Sequence, residues 1–218
     1  MSEFFTTSVL VATVAAGFRL ATPYLLAALG ETLGQRSGVL NLGVDGVMLL
    51  GAFFAYWAVL VSGSSLRGMI AGALAGVVMG VVYAVVTVVF KTEQGISGIG
   101  IYLFGLGFSE LIYRQEIGTP RPIQGFTKVK IPVLGDIKYV GQMFFKHSLV
   151  VYLALVLVPV IAFIFNHTRF GLDVRAVGET PEAADSLGVS VARTRTITIL
   201  IGSTLACLGG AALALELV

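Results

Sequence analysis

Charged residues are scarce in this sequence, and their scarcity argues against a soluble fold. Asp, Glu, Lys and Arg make up 12% of the chain, whereas hydrophobic residues make up 56%. A soluble globular domain is about one quarter charged, and the mean hydropathy here is +0.94. The net charge of +2 is too small to favour a nucleic-acid partner. A lipid bilayer is therefore the expected solvent.

Cysteine is also rare, and the sequence motifs for phosphate binding and for nucleophilic hydrolysis are absent. The single cysteine, Cys207, lies in an apolar run, so no disulfide framework or cysteine metal cluster can form within the chain. Neither the G-x-x-x-x-G-K-[ST] phosphate loop nor the G-x-S-x-G nucleophile motif occurs. We therefore expect no metal site, no cofactor and no catalytic residue in this chain.

Long apolar segments are what the sequence does contain. We predict membrane spans over residues 4–29, 37–61, 66–90, 95–112, 147–165 and 196–218, since about 20 apolar residues cross the hydrocarbon core of a bilayer. The first segment lacks the charged front and cleavage site of a secretory signal, so we interpret it as a retained helix. Two G-x-x-x-G repeats at residues 72–80 predict close helix packing. The predicted fold class is all-α, a polytopic transmembrane helical bundle.

Polar side chains within these spans are candidates for a translocation path. They are Arg19, Asn41, Asp45, Gln94, Ser97, Tyr102 and Glu110. A charge inside a membrane is costly and usually faces protein or water, so we expect Arg19 to pair with Asp45 or Glu110, or to snorkel along its helix. Asn41 and Asp45 lie among glycines. That pattern fits a broken helix lining a cavity or close helix packing with side chains bonded to backbone.

Two polar segments separate the spans. Residues 113–146 form the longest hydrophilic stretch, and its prolines exclude a continuous helix. The alternating run at residues 128–131 predicts an edge strand or an amphipathic cover. Cations are divided almost evenly between the two sides of the predicted topology, so the positive-inside rule does not orient the chain.

The second polar segment, residues 169–195, predicts a short helix. Residues 180–182 supply a hydroxyl, a proline and an acid, which together mark a helix start. Gly188 can end the helix in the left-handed conformation. A helix of about two turns does not persist alone in water. It is either an ordinary surface helix or one that docks its alanine-rich face into a groove of another protein.

Two stretches of this sequence resemble a known family. RFGLDVRAVGETPEAADSLGVSVARTR resembles the coupling segment of permease subunits of ATP-binding-cassette importers, in the simple sugar and nucleoside branch of the branched-chain amino acid/ribose-type permease family. Its E-A-A-x-x-x-G core is present at residues 182–188, whereas the Ile-x-Leu-Pro of the wider motif is missing. GETLGQRSGVLNLGVDGVMLLGAF, residues 30–53, is similar to that branch's G-x-x-x-E-R-[SA]-G-V-x-N-[IL]-G-[LV]-[ED]-G-x-M-L-x-G-A. The resemblance extends from about residue 15 to the end.

The resemblance implies a permease subunit that is not itself an enzyme. It implies a multi-pass protein of the plasma (inner) membrane. It also implies three protein partners: an ATPase subunit that binds ATP and magnesium, a second permease subunit in a homo- or heterodimer, and an extracytoplasmic substrate-binding protein. The second polar segment, residues 169–195, is then cytoplasmic, and the loop of residues 113–146 is external. The residues implied in coupling are Gly178, Glu179, Glu182, Ala183, Ala184 and Gly188. The implied substrate is a nucleoside, a simple sugar or a riboflavin-like compound, and residues 30–53 favour a nucleoside.

Two other classes of function stay open at this point. A stand-alone secondary transporter would use Arg19, Asp45 and Glu110 as an ion or proton relay. An intramembrane enzyme is disfavoured, because both histidines lie at span ends. Members of the resembling family continue for several more helices, so we expect this chain to be shorter than they are and its cavity to be incomplete.

Overall fold

The computed structural model describes residues 7–130 and 143–216. In chain order these residues form α1 (Thr7–Arg36), α2 (Val44–Ser62), α3 (Ser65–Ala84, continued by a π-helical turn, Val85–Val89), α4 (Gln94–Glu116), β1 (Lys128–Lys130), β2 (Lys146–Ser148), α5 (Leu149–His167), α6 (Arg169–Glu179), α7 (Pro181–Ser186) and α8 (Val191–Glu216).

Within the described ranges, six helices, α1 to α5 and α8, are long and apolar enough to cross a membrane. This confirms the predicted polytopic helical bundle. The helices do not start and end where hydropathy suggested: α1 runs past residue 29 to Arg36, α2 starts at Val44, and α8 already starts at Val191. Hydropathy marks the apolar core of a span, whereas the helical hydrogen bonding of α1 and α8 continues into the polar zone beyond it. Helix α2 starts later than predicted because residues 37–43 form an irregular connection. The outermost predicted residues, 4–6 and 217–218, lie outside the described ranges.

Helix α8 is the centre of the bundle because many of its residues are small. It packs most extensively against α1, α2 and α3, and residues 209–212 are all buried. A Cβ at Gly202 would lie 2.8 Å from the Gly30 carbonyl oxygen of α1, and one at Gly76 would lie 2.6 Å from the Thr204 Cα. Only glycine permits such approaches. The predicted glycine stripe of α3 therefore packs on α8.

The connections alternate between two ends of the bundle, and we call the end that carries α6 and α7 the inner end. The inner end also carries residues 37–43 and 90–93, and the outer end carries residues 63–64, 117–130 and the β-ribbon. At the inner end Gln94 Nε2 donates to the Gly38 carbonyl at 3.2 Å. At the outer end Ser65 Oγ donates to the Gln124 carbonyl at 3.1 Å.

A two-stranded antiparallel ribbon covers part of the outer end. Strand β1 pairs with β2, and Val129 lies opposite His147. This confirms the strand interpretation for Lys128–Lys130, while residue 131 lies outside the described ranges. Strand β2 continues directly into α5, so the ribbon closes the outer end next to that helix.

Candidate functional site at the inner end

Helices α6 and α7 contain the predicted coupling segment. Helix α7 starts at Pro181, with Glu182 in its first turn, as the sequence predicted. Within the described chain Thr180 makes no side-chain capping bond, so proline and the acid mark this start without the hydroxyl. With 6 residues, α7 is about 9 Å long. Such a short helix depends on its contacts with neighbours.

Gly188 shapes the turn that follows α7. Its φ is +85°, a left-handed conformation that glycine adopts without strain. The Gly188 N–H donates to the Asp185 carbonyl at 2.9 Å, and the Val189 N–H donates to the Ala184 carbonyl at 3.0 Å. A Cβ on Gly188 would meet no described atom within 4 Å. The backbone conformation, and not crowding, is therefore what requires glycine here.

The two alanines of α7 differ in burial. Ala184 is only 3% exposed, whereas Ala183, Glu179 and Glu182 are exposed. The expectation that both alanines enter a groove of another protein is therefore corrected for Ala184, which packs against the helices of its own chain. Helical periodicity does not say which of two neighbouring alanines faces the bundle. The position of α7 on the bundle decides this.

Leu187 is an exposed apolar residue that the sequence analysis did not select. Its side chain is 86% exposed, and it follows α7 directly, outside the six apolar helices. Unlike the exposed leucines along a span, Leu187 lies in a polar segment. Sequence analysis could have selected Leu187, because it is an apolar residue between a helix end and Gly188 in an otherwise polar stretch. Leu187 and the exposed face of α7 form a candidate contact surface.

The two resembling segments meet at the inner end. Gly178 lies so close to α1 that a Cβ there would overlap the Arg36 carbonyl oxygen. Arg195 Nε donates to the Ser37 carbonyl at 3.2 Å, and the hydroxyl oxygens of Ser37 and Thr198 are 2.8 Å apart. We call these five residues the junction. The junction joins the end of α1 to α6 and to the start of α8.

Residues 37–43, the connection between α1 and α2, are irregular and are held by side chains of α3 and α4. Gln94 bonds this connection twice, because its Nε2 donates to the Gly38 carbonyl and its Oε1 accepts from the Leu40 N–H at 2.9 Å. The Tyr83 hydroxyl donates to the Leu40 carbonyl at 2.7 Å. Gln94, a predicted path residue, thus positions the connection.

Asn41 lies on the same connection, beside a small cavity. Its Oδ1 accepts from the Gly43 N–H at 2.9 Å, and its own N–H donates to Glu31 Oε1 at 3.2 Å. The cavity is lined in part by Glu31, Asn41, Tyr83 and Thr198 and measures about 20 Å³, room for about one water molecule. For Asn41 this favours the alternative of side chains bonded to backbone. Glu31, which sequence analysis placed in a polar turn, is part of this network.

Three further predicted path residues lie on α2 and α4. The Ser97 hydroxyl donates to the Glu93 carbonyl at 2.7 Å, within the first turn of α4. Asp45 is exposed in the first turn of α2. Tyr102 packs against α2, since a Cβ on Gly46 would be 2.6 Å from the Tyr102 Cα. Tyr102 therefore belongs to the contact between α2 and α4, whereas Asp45, the neighbour of Gly46 in the sequence, is exposed.

The charged residues that were expected to pair inside the membrane lie apart. Glu110 Oε1 accepts from Arg114 Nε at 2.6 Å, one turn along α4. The ring of Phe18 lies 5.9 Å from that of His147, which places Arg19 at the level of the outer ribbon. Among the described residues no ion pair joins Arg19 to Glu110 or Asp45, so the expected pairing is wrong. Nor do these residues include three His, Cys, Asp or Glu side chains grouped to hold a metal ion.

Glu110 lines a cavity of about 440 Å³ that we call the outer cavity. This volume is in the range of small-molecule sites. Its other lining residues include Phe53, Tyr56, Ser109, Tyr113 and Arg121. The Tyr56 and Tyr113 rings lie 6.2 Å apart, and such faces can hold a base or a sugar ring. The sequence analysis missed both tyrosines, although Tyr113 lies on the Glu110 face of α4 at a spacing of i, i+3.

A bundle of apolar helices with a polar segment packed at one end is the architecture of a polytopic membrane protein. The family described as "Branched-chain amino acid transport system / permease component" matches residues 13–218. The chain therefore belongs to this permease family, which confirms the resemblance drawn from residues 30–53 and 169–195.

Three relatives are similar over most of this chain. TsgC13 of Haloferax volcanii, provisionally named a glucose ABC transporter permease protein, is 37% identical over 199 residues, which cover 89% of this chain and 60% of TsgC13. The guanosine ABC transporter permease protein NupQ of Bacillus subtilis is 36% identical, over 87% of this chain and 63% of NupQ. The nucleoside ABC transporter permease protein NupC of Lactococcus lactis is 31% identical, over 88% of this chain and 63% of NupC.

The chain spans about three fifths of the length of these relatives. No solved structure matches it.

Proposed function

We propose that this chain is the membrane-spanning permease subunit of an ATP-binding-cassette importer. It would move a nucleoside or a simple sugar, delivered by an extracytoplasmic substrate-binding protein, across the plasma (inner) membrane. ATP and Mg²⁺ are bound and used by a separate ATPase subunit, and a second permease subunit completes the transporter. The names of TsgC13, NupQ and NupC support this class of function. The observation that carries it best is the junction.

The junction supports a mechanical role for α6 and α7. The exposed face of α7, with Ala183, Glu182 and Leu187, contacts the ATPase subunit in this proposal. On the opposite side Ala184 is buried, and Gly178 abuts the Arg36 carbonyl. Because that contact leaves no free space, α6 cannot approach α1 without displacing its end. A movement of the ATPase subunit would thus reach α1 and α8, which can favour one of two bundle arrangements.

The outer cavity supports a place for the substrate at the opposite end. It combines the aromatic rings of Tyr56 and Tyr113 with the Glu110 carboxylate. This mixture of ring faces and polar groups suits an uncharged ring compound with hydroxyls. Its position at the outer end fits delivery from a binding protein outside the cell, with α6 and α7 in the cytoplasm.

The coupling role is tested by Leu187→Asp. The substitution places a charge on the proposed contact, so we expect loss of the complex with the ATPase subunit on co-purification and loss of ATP-dependent uptake in reconstituted vesicles. The matched control is Leu66→Asp, because Leu66 is also an exposed leucine, at 70% exposure, but lies in the first turn of α3 at the outer end. An intact complex with Leu187→Asp would refute the contact. Uptake that needs no ATP and stops with an uncoupler would instead indicate a secondary transporter.

The substrate class is tested on the binding protein and on the outer cavity together. We favour a nucleoside and expect the cognate binding protein to bind purine nucleosides more tightly than pentoses or hexoses. Tyr113→Ala should lower uptake while ATPase binding is retained. Tight sugar binding without nucleoside binding would refute the nucleoside but not the transporter.

A further inference from the structure

A groove between α1 and α5 at the inner end combines an apolar wall with a basic rim. Its volume is about 290 Å³. Its wall includes Leu29, Val158, Ile161 and Phe165, and its rim includes Arg36 and Arg175. Val158 is 38% exposed, so the groove opens sideways from the bundle and not into its core.

Polarity changes along this groove in one direction. Leu29 and Arg36 lie on the same helix about 10 Å apart along its axis, and Arg36 is the last residue of α1. The apolar wall therefore lies deeper in the span, and the arginines lie where the span ends. A phospholipid has the same order of groups, with acyl chains next to the hydrocarbon core and a phosphate at the interface. Basic pockets between membrane helices are known to hold such head groups.

The two arginines carry charge that the described part of the chain does not neutralise. In those residues neither guanidinium has a carboxylate within 4.0 Å, and the ion pair found there joins Arg114 to Glu110. Arg175 Nε is buried and has no hydrogen-bond partner among residues 7–130 and 143–216. A buried donor without an acceptor is destabilising, and the guanidinium fork matches the oxygens of a phosphate. The rim thus fits an anionic oxygen ligand.

We infer that this groove binds an anionic phospholipid. The phosphate contacts Arg36 and Arg175, and one acyl chain lies along Leu29, Val158 and Ile161. A free phosphate ion would use the same arginines but would leave the apolar wall uncovered, and for that reason the lipid is favoured. The inference requires that α1 and α5 cross a bilayer and that the groove between them faces lipid, and it stands apart from the proposed transport function.

The test compares two lipids with the same acyl chains, phosphatidylglycerol and phosphatidylcholine. Each is added to the purified full chain in detergent, and retained lipid is counted by native mass spectrometry alongside the thermal midpoint. We expect preferential retention of phosphatidylglycerol and a higher midpoint with it. Arg36→Gln and Arg175→Gln should each weaken that retention by roughly fivefold, the effect of about one interfacial cation.

Two further variants separate the possible ligands. Arg169→Gln is the matched control, since Arg169 is exposed on the same helix as Arg175 but does not line the groove, and it should retain phosphatidylglycerol as wild type does. Val158→Trp fills the apolar wall without changing the charge, and it should reduce retention even if the arginine variants fail to fold.

Equal retention of both lipids by wild type would overturn the inference. Competition by inorganic phosphate, together with no effect of Val158→Trp, would also overturn it. An equal fall of the thermal midpoint of the arginine variants in both lipids would do the same, because it would indicate only a helix-end role for the arginines.

Discussion

The inner and outer ends of this bundle are held together in different ways. At the inner end buried polar groups join segments far apart in the sequence, as Ser37 and Thr198 do across 161 positions. The outer end also has such a bond, from Ser148 to Glu216. There, however, Tyr56 bonds the backbone of Arg121 at an exposed position, and a cavity of about 440 Å³ stays open beside it. A tightly joined end can pass on a displacement, whereas an open end can admit a solute. The proposed transport cycle uses both.

The largest expected difference between the ends comes from one methyl group. Gly178→Ala places a Cβ against the Arg36 carbonyl oxygen, whereas Gly107→Ala, in the outer half of α4, meets no described atom within 4 Å. Overpacking of this kind costs about 2 kcal/mol. We expect the free energy of unfolding of detergent-solubilised protein to fall for Gly178→Ala. For Gly107→Ala it should rise by about 1 kcal/mol or less, because alanine favours helix.

Equal unfolding free energies for these two variants would contradict the comparison. It would mean that α6 moves away from α1 at little cost, and that the junction does not transmit a displacement.

A smaller effect is expected from the hydroxyl pair of the junction. Ser37 and Thr198 are both 0% exposed, so Ser37→Ala should cost about 1 kcal/mol as a buried hydrogen bond is lost. Tyr56→Phe removes an exposed bond at the outer end and should cost less. A double-mutant cycle of Ser37→Ala with Thr198→Val measures the coupling between the hydroxyls. No coupling, or a larger effect of Tyr56→Phe, would refute a more tightly bonded inner end.

The smallest expected effect is a pH dependence at the inner start of α4. The Glu93 carboxylate accepts from the Gly95 N–H at 2.9 Å and the Ile96 N–H at 2.6 Å. These bonds lower the pKa of Glu93 below its ordinary value of 4.5. Because the folded-state pKa is the lower one, the stabilisation is complete above the unfolded-state pKa and is lost as the pH falls through the folded-state pKa.

Thermal midpoints measured from neutral pH down through this range should therefore converge for wild type and Glu93→Gln. Glu116→Gln, at the outer end of α4, is the matched control and should keep the pH dependence of wild type. A constant difference between wild type and Glu93→Gln at every pH would show that the carboxylate charge is not what stabilises the start of α4.

Several features of the site could be predicted because they depend on neighbours in the sequence. Pro181 and Glu182 start α7, and Gly188 takes a left-handed conformation, as local backbone preferences require. The proposed roles of these residues in coupling are still predictions. The direction in which Ala184 points could not be predicted, because it depends on which side of α7 meets the bundle. The separation of Arg19 from Glu110 could not be predicted either, because it depends on how α1 and α4 are placed in the bundle.

By itself the sequence determined that this protein lies in a lipid bilayer and that its building unit is the membrane-spanning helix. Long apolar runs leave a chain no stable place in water, and backbone groups in lipid must bond within each helix, so a bundle of membrane helices follows from composition and order alone. Only the tertiary structure decided that Gly178 meets Arg36, that Arg195 binds Ser37 and that Arg36 and Arg175 share a groove. Those contacts join residues far apart in the chain, and packing geometry selects them from many that the same hydropathy pattern permits.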